Sequence, residues 1–273
     1  MTVTPARTAR AARPRAAAPG AWTVTWRPAP RAATRLFCLP HTGAGAAAYR
    51  DWAARLHPDV ELVAVRLPGR ETRFRERPYA RMDDLVPALL DALAPLLDRP
   101  HAWFGHSMGA LVAYEACRAL RDRGAPAPVR LLVSGRRAPH LPERDRPVHD
   151  APVADLVARL VELDGTPREV LDDRAALTSL LPMLRADFAV VETYDRRPAA
   201  PLTVPISVLG GNRDPMATEA ELRAWERHTT GGCDVRTFDG AHFFLHEDSE
   251  PVLAAIAADL SPRRPPAPAG RLR

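Results

Sequence analysis

The chain has 273 residues and no lysine, so all 38 basic side chains are arginine, and against 33 acidic residues they leave a formal net charge of +5. That length suits one large domain with a sizeable core, and no apolar run approaches the roughly 20 residues that a membrane-spanning helix requires. The arginines are scattered or lie in the tails without interleaved aromatic platforms, which sets aside a nucleic-acid role, and three widely separated cysteines form neither a disulfide framework nor a metal-ligand pattern.

Residues 1–33 carry Arg7, Arg10, Arg13, Arg15 and Arg27 among alanine and proline with no recurring apolar face. Such a segment buries too little surface to offset its ordering entropy, so a disordered tail is expected over 1–33 and a second over 262–273. The first lacks the apolar stretch of a signal peptide, and Cys38, Cys117 and Cys233 read as small core residues of a protein in a reducing cytoplasm. The domain is then expected over 34–261.

Arg35 to Leu39 reads as a strand that stops at Pro40, and His41-Thr42-Gly43-Ala44-Gly45 follows as a small-residue loop able to expose backbone N–H groups. Val60 to Val65 is a second strand, followed by an arginine-rich loop from Arg70 to Arg77. Between Met82 and Leu97, apolar residues recur at helical spacing, which predicts one amphipathic helix. Then come the short apolar run Ala102-Trp103-Phe104, the motif Gly105-His106-Ser107-Met108-Gly109, and a helical segment from Ala110 to Leu120. Strand, Gly-x-Ser-x-Gly and helix in that order predict a nucleophile elbow, with small flanking residues that let the two arms approach and leave the serine protruding. The competing reading is a helix-entry turn with a capping serine.

Val129 to Ser134 is a further strand, after which the rhythm breaks. From about 136 to 200 two or three helical stretches are expected, Ala151 to Leu163, Arg168 to Leu181 and Met183 to Tyr194, with no convincing strand. An insertion between sheet strands lies outside the sheet, where it serves as a lid over the site or as extra helical core. Strand periodicity returns at Pro205 to Gly211, followed by Asn212-Arg213-Asp214, and again at Cys233 to Phe238, followed by Asp239-Gly240-Ala241-His242. Ser249 is a candidate N-cap for a last helix ending near Leu260. Alternating strands and helices, with several strands apolar throughout, predict an α/β fold with a mostly parallel sheet covered on both faces.

Ser107, Asp214 and His242 each follow a predicted strand and occur in the order nucleophile, acid, base. His242 would take the Ser107 proton during attack and return it to the leaving group, while Asp214 would hold the imidazole tautomer. His246 lies further from the strand end, and Asp239 shares the histidine's own turn. Asp187 and Asp195, in the insertion, are expected to be solvated or locally bonded. His106 adjoins the serine on a turn sharp enough for the two side chains to diverge.

Taken together, Leu39-Pro40-His41-Thr42-Gly43-Ala44-Gly45, Leu67-Pro68-Gly69-Arg70-Glu71, Gly105-His106-Ser107-Met108-Gly109-Ala110, Leu181-Pro182-Met183-Leu184-Arg185-Ala186-Asp187 and Gly240-Ala241-His242-Phe243-Phe244-Leu245 resemble the type II thioesterases of polyketide and nonribosomal-peptide pathways. The resemblance covers about residues 34–260. It implies an α/β-hydrolase fold with a helical lid, and removal of acyl or aminoacyl groups from the phosphopantetheine arm of carrier proteins, an editing activity that needs no cofactor of its own. It matches Ser107, Asp214 and His242 to the triad and the backbone amides of Met108 and Thr42 to the oxyanion hole. The early loop departs from the usual His-Ala-Gly-Gly, which leaves Thr42 and Gly43 both open as the second donor. Leu181, Met183, Leu184 and Phe188 are candidates for the acyl pocket or for plain helix packing. Arg70, Arg73, Arg75, Arg77, Arg136 and Arg137 are candidates for receiving an acidic carrier protein or for a solvated surface. A monomer with no nucleic-acid or membrane partner is expected. A general carboxylesterase of the same fold and a non-catalytic carrier-binding module are the alternatives.

Overall fold

The computed structural model describes residues 19–261. In chain order the elements are β1 (Thr23–Val24), β2 (Thr34–Leu39), α1 (Arg50–Arg55), β3 (Val60–Val65), α2 (Met82–Leu93), β4 (His101–His106), α3 (Met108–Asp122) and β5 (Arg130–Ser134). Then follow α4 (Val153–Leu163), α5 (Arg168–Asp172), α6 (Arg174–Glu192), β6 (Ile206–Gly211), α7 (Glu219–Arg223), β7 (Cys233–Phe238), α8 (Phe244–Glu247) and α9 (Ser249–Leu260). The seven strands form one sheet in the order β1-β3-β2-β4-β5-β6-β7. Only β1 is antiparallel, against β3; the other pairings are parallel.

Every residue of β2 through β6 is buried, as expected of parallel strands covered on both faces. Side chains alternate across each strand, so one run supplies two cores. Phe37, Trp103, Val133 and Val208 face α2 and α3, while Leu36, Phe104, Leu132 and Leu209 face α1 and α9. A third cluster, with Leu156, Leu160, Met183, Leu184 and Phe188, lies within the insertion between β5 and β6. Burial of each such leucine or phenylalanine contributes about 1.5–3 kcal/mol.

Three expectations are corrected. The domain begins before residue 34: Trp22 is buried against the main core with the Arg73 guanidinium 4.4 Å above its ring, and Thr23–Val24 pairs with Ala64–Val65. One tryptophan and two strand residues supply the burial that the arginine-rich composition hid. The rest of that tail, residues 1–18, and residues 262–273 lie outside the described residues.

The insertion's last two helical stretches divide at Asp173, not near Pro182. The Asp173 carboxylate accepts hydrogen bonds from the Ala175 and Ala176 amides at 2.9 and 3.0 Å, capping a 19-residue α6 that runs on through Pro182. Packing of α6 against its neighbours outweighs the backbone bond that proline forfeits. At the last helix Asp248 is the cap, its carboxylate accepting from the Glu250 amide at 3.1 Å, and Ser249 is the first helical residue.

Candidate active site

The three side chains of the expected triad converge from the C-terminal ends of β4, β6 and β7. The strand-to-helix turn at Ser107 is sharp enough to put a non-glycine residue at φ 52° and ψ −114°, a conformation costing about 1–3 kcal/mol that only a well-packed surround sustains. That surround is specific. A Cβ on Gly105 would overlap the Gly109 carbonyl, and one on Gly109 would overlap the carbonyl of Leu39, so the elbow's arms touch each other and the end of β2 through glycine alone. The Ser107 amide donates to the Ser134 carbonyl at 2.8 Å, tying the turn to β5. Met108 opens α3, and at this first position its amide has no acceptor within the helix.

Asp214 and His242 meet across the loops after β6 and β7. These loops are joined by hydrogen bonds from the Asn212 amide to the Phe238 carbonyl at 2.8 Å and from the Arg213 amide to the Gly240 carbonyl at 2.9 Å. His242 Nδ1 lies 2.9 Å from Asp214 Oδ2 with both side chains buried, and Asp214 Oδ1 accepts from the Met216 amide at 2.8 Å. An ionised carboxylate only accepts, so Nδ1 carries the proton and Nε2 is left as the acceptor that a general base requires. Ser107 and His242 open onto the same cavity, together with Thr42 and Phe188. Among the described residues the Ser107 hydroxyl makes no hydrogen bond.

The competing residues are occupied elsewhere. His106 is fully buried, with Nδ1 3.0 Å from Ser134 Oγ, and burial holds its imidazole well below the usual range. His246 is exposed and stacks on Phe243 at 5.9 Å. Asp239 is exposed and bonds Asn212 and Arg213. Asp187, expected to be solvated or locally bonded, is only 2% exposed and accepts the Gly43 amide at 2.9 Å across the fold. With the Gly43 N–H taken by Asp187 and the Ala44 N–H by the His41 carbonyl, the Thr42 amide is left without an acceptor among the described residues.

The cavity departs from the expected lining. Of Leu181, Met183, Leu184 and Phe188, only Phe188 reaches it; Met183 and Leu184 are buried inside the insertion and Leu181 packs against them. The apolar lining comes instead from Leu160, Leu163, Val191, Met216 and Phe243. Leu160 and Leu163 repeat at helical spacing in α4, the only sequence signal that could have found them. Of the arginines expected to meet a partner, Arg70, Arg73 and Arg137 are buried in ion pairs with Asp187, Glu76 and Glu221, and Arg136, largely buried, is bonded to Glu143. Arg75 and Arg77 are exposed. Among the described residues no cluster of three ligand-type side chains could hold a metal ion, and no helix is long and apolar enough to cross a membrane.

His41, at the start of the early loop, is buried with Nδ1 3.0 Å from the Thr42 carbonyl, and burial pushes its imidazole down to about 4. The unfolded chain therefore binds a proton that the native site refuses between about pH 6.5 and 4. Stability falls as pH drops through that window, by on the order of 3 kcal/mol from this group alone. Chemical denaturation at pH 7 and pH 4.5 checks this: His41→Gln should lose less stability than wild type over the same interval.

A thioesterase-domain family model matches residues 34–260. Thioesterase PikA5 of Streptomyces venezuelae is 41% identical over 229 residues, which is 84% of this chain and 81% of that protein. Linear gramicidin dehydrogenase LgrE of Brevibacillus parabrevis, named for another chemistry, is 38% identical over 245 residues, 89% of this chain and 93% of that protein. The turn after β4 here carries Gly-x-Ser-x-Gly rather than the Gly-x-Gly-x-x-Gly of a dinucleotide site. Among solved structures, the type II thioesterase BorB from the borrelidin biosynthetic cluster superposes with a TM-score of 0.80 at 40% identity, covering 88% of this chain and 97% of that one. An elbow serine, a buried aspartate–histidine pair and a helical insertion beside one cavity thus sit on a fold that matches these proteins over most of its length: the chain belongs to the thioesterase family of α/β-hydrolases, among the type II thioesterases of polyketide and nonribosomal-peptide biosynthesis.

Proposed function

We propose that this thioesterase hydrolyses acyl or aminoacyl thioesters on the phosphopantetheine arm of carrier proteins, clearing aberrant groups from a synthase. Ser107 attacks the thioester carbonyl, His242 accepts its proton and later protonates the departing thiolate, and Asp214 holds the imidazole with Nε2 toward the serine. The amides of Met108 and Thr42 receive the oxyanion. Water then repeats the sequence on the acyl-enzyme, releasing the acid. A thiolate is a good leaving group, so the chemistry needs chiefly a nucleophile, an oxyanion hole and room for the acyl chain. The observation that carries this reading is His242, held by the buried Asp214 at 2.9 Å and opening onto one cavity with the strained Ser107.

The acyl group would occupy the space between Phe188, Leu160, Leu163 and Met216. Carrier proteins are typically acidic, and Arg75 and Arg77 beside the half-exposed Phe74 are the arginines of the 70–77 loop placed to meet one. The test is a panel of acyl-carrier-protein thioesters and simple oxygen esters, offered to wild type and to Ser107→Ala. Preference for the carrier thioesters, lost in Ser107→Ala, supports the proposal. A strong preference for oxygen esters would make the protein a general esterase, and undiminished clearance by Ser107→Ala would leave only a binding role.

A further inference from the structure

We infer that the buried Arg70–Asp187 pair is a positioning device that fixes the Thr42 amide for oxyanion binding, linking the inserted helix α6 to the early loop. The inference rests on the assignment of that amide in the proposed function.

Asp187 Oδ1 accepts from Arg70 Nη2 at 2.6 Å, and Oδ2 accepts both from Arg70 Nη1 at 3.0 Å and from the Gly43 amide at 2.9 Å. Arg70 Nη1 also donates to the Ala44 carbonyl at 2.7 Å. The side chains are only 4% and 3% exposed, so this is a desolvated, two-pronged grip on consecutive loop residues. The Gly43 N–H shares a rigid peptide plane with the Thr42 carbonyl. That carbonyl faces His41 Nδ1 at 3.0 Å, so the plane is held at both ends and little freedom is left at the neighbouring Thr42 N–H. Gly43 itself has φ +79°, and a Cβ there would lie 3.1 Å from Leu184 Cδ2 of α6. On the outer side, the Glu71 carboxylate accepts the Ala47 amide at 2.8 Å, and Glu71 holds a φ of 52° to reach it. The segments Leu39 to Gly45, Leu67 to Glu71 and Leu181 to Asp187 are distant in sequence yet form this single junction.

An oxyanion donor displaced by about an ångström loses much of a term worth roughly 10²–10³ in rate. Two variants are therefore compared with wild type by kcat, KM, melting temperature and inhibition by an alkyl trifluoromethyl ketone, whose serine adduct mimics the tetrahedral intermediate. Arg70→Lys keeps the charge but loses the fork. The double variant Arg70→Met with Asp187→Leu removes both charges together and avoids the uncompensated ion that a single deletion would bury. Each is expected to lower kcat by about 10- to 100-fold with KM within about two-fold, and to weaken the ketone by a similar factor. A purely structural pair would let the double variant recover kcat along with its melting temperature. Wild-type kcat in either folded variant overturns the inference. Undiminished turnover by Ser107→Ala would instead overturn the nucleophile assignment on which it rests.

Discussion

Replacing Ser107 with alanine is expected to cut thioester turnover by about 10⁴-fold or more, with His242→Ala equally damaging and the double variant no worse than either. The non-additivity follows from the roles: without the nucleophile there is no proton for the imidazole to take, and without the base the hydroxyl is a poor nucleophile. Asp214→Asn should cost about 10⁴ as well, because an amide can donate to Nδ1 and so favour the tautomer that turns a protonated Nε2 toward the serine. The neighbouring Asp239, exposed and bonded to Arg213 and Asn212, supplies the control: Asp239→Asn should leave kcat/KM within about two-fold, since an exposed pair contributes little. Steady-state assays with one acyl-carrier thioester decide all five. A larger loss in Asp239→Asn than in Asp214→Asn would move the acid of the triad onto the turn that carries His242.

Adding a single methyl group to the elbow is expected to damage the whole fold. Gly105→Ala and Gly109→Ala each place a Cβ inside a backbone carbonyl, of Gly109 and of Leu39 respectively, where no rotamer change relieves the overlap. β4 and the end of β2 are central and wholly buried, so neither arm can retreat without opening the core. Each substitution should cost more than about 3 kcal/mol, which for a domain of this size lowers the melting temperature by roughly 10 °C or more. Gly20→Ala is the matched control, since nothing lies within 4 Å of a Cβ there and its melting temperature should not move. Equal melting temperatures for Gly20→Ala and Gly109→Ala would show that the elbow yields to the added methyl group. Activity should fall in the elbow variants even where some folded protein survives, because the same contacts hold Ser107 in its strained conformation.

The junction of Arg70, Asp187 and the early loop bears on what any opening of the inserted region would do to the site. α6 is joined to the oxyanion loop by buried, charge-assisted bonds, whereas α4 carries the exposed Val153 and Val161 on its outer face. Any opening that displaced α6 would also displace the amide proposed to receive the oxyanion. Opening confined to α4 and α5 would leave the site assembled.

What the chain's order of residues determines by itself is local. An apolar run followed by Gly-His-Ser-Met-Gly and a helical segment specifies strand, elbow and helix through short-range sterics. Asp214 and His242 are legible because each sits just past its own strand, and parallel strands deliver their C-terminal ends to one edge of the sheet. The strands themselves were readable from their apolar centres, but not all their ends: β4 extends past Ala102-Trp103-Phe104 to His101 and His106, and the buried Arg35 and Glu61 of β2 and β3 are tolerated because they pair with each other. Tertiary structure alone decided what depends on contacts between distant segments. Trp22 looked like part of an arginine-rich tail until β3 supplied it a partner strand and a core. Leu181, Met183 and Leu184 have the right character for an acyl pocket, but the rotation of an uninterrupted α6 turns them into the insertion's own core and leaves Phe188 facing the cavity. Asp187 lies 144 positions from the amide it accepts and 117 from the arginine it grips, and no periodicity encodes such a meeting. Helical and strand periods report which face of an element is apolar; what that face meets is set by packing of the whole chain.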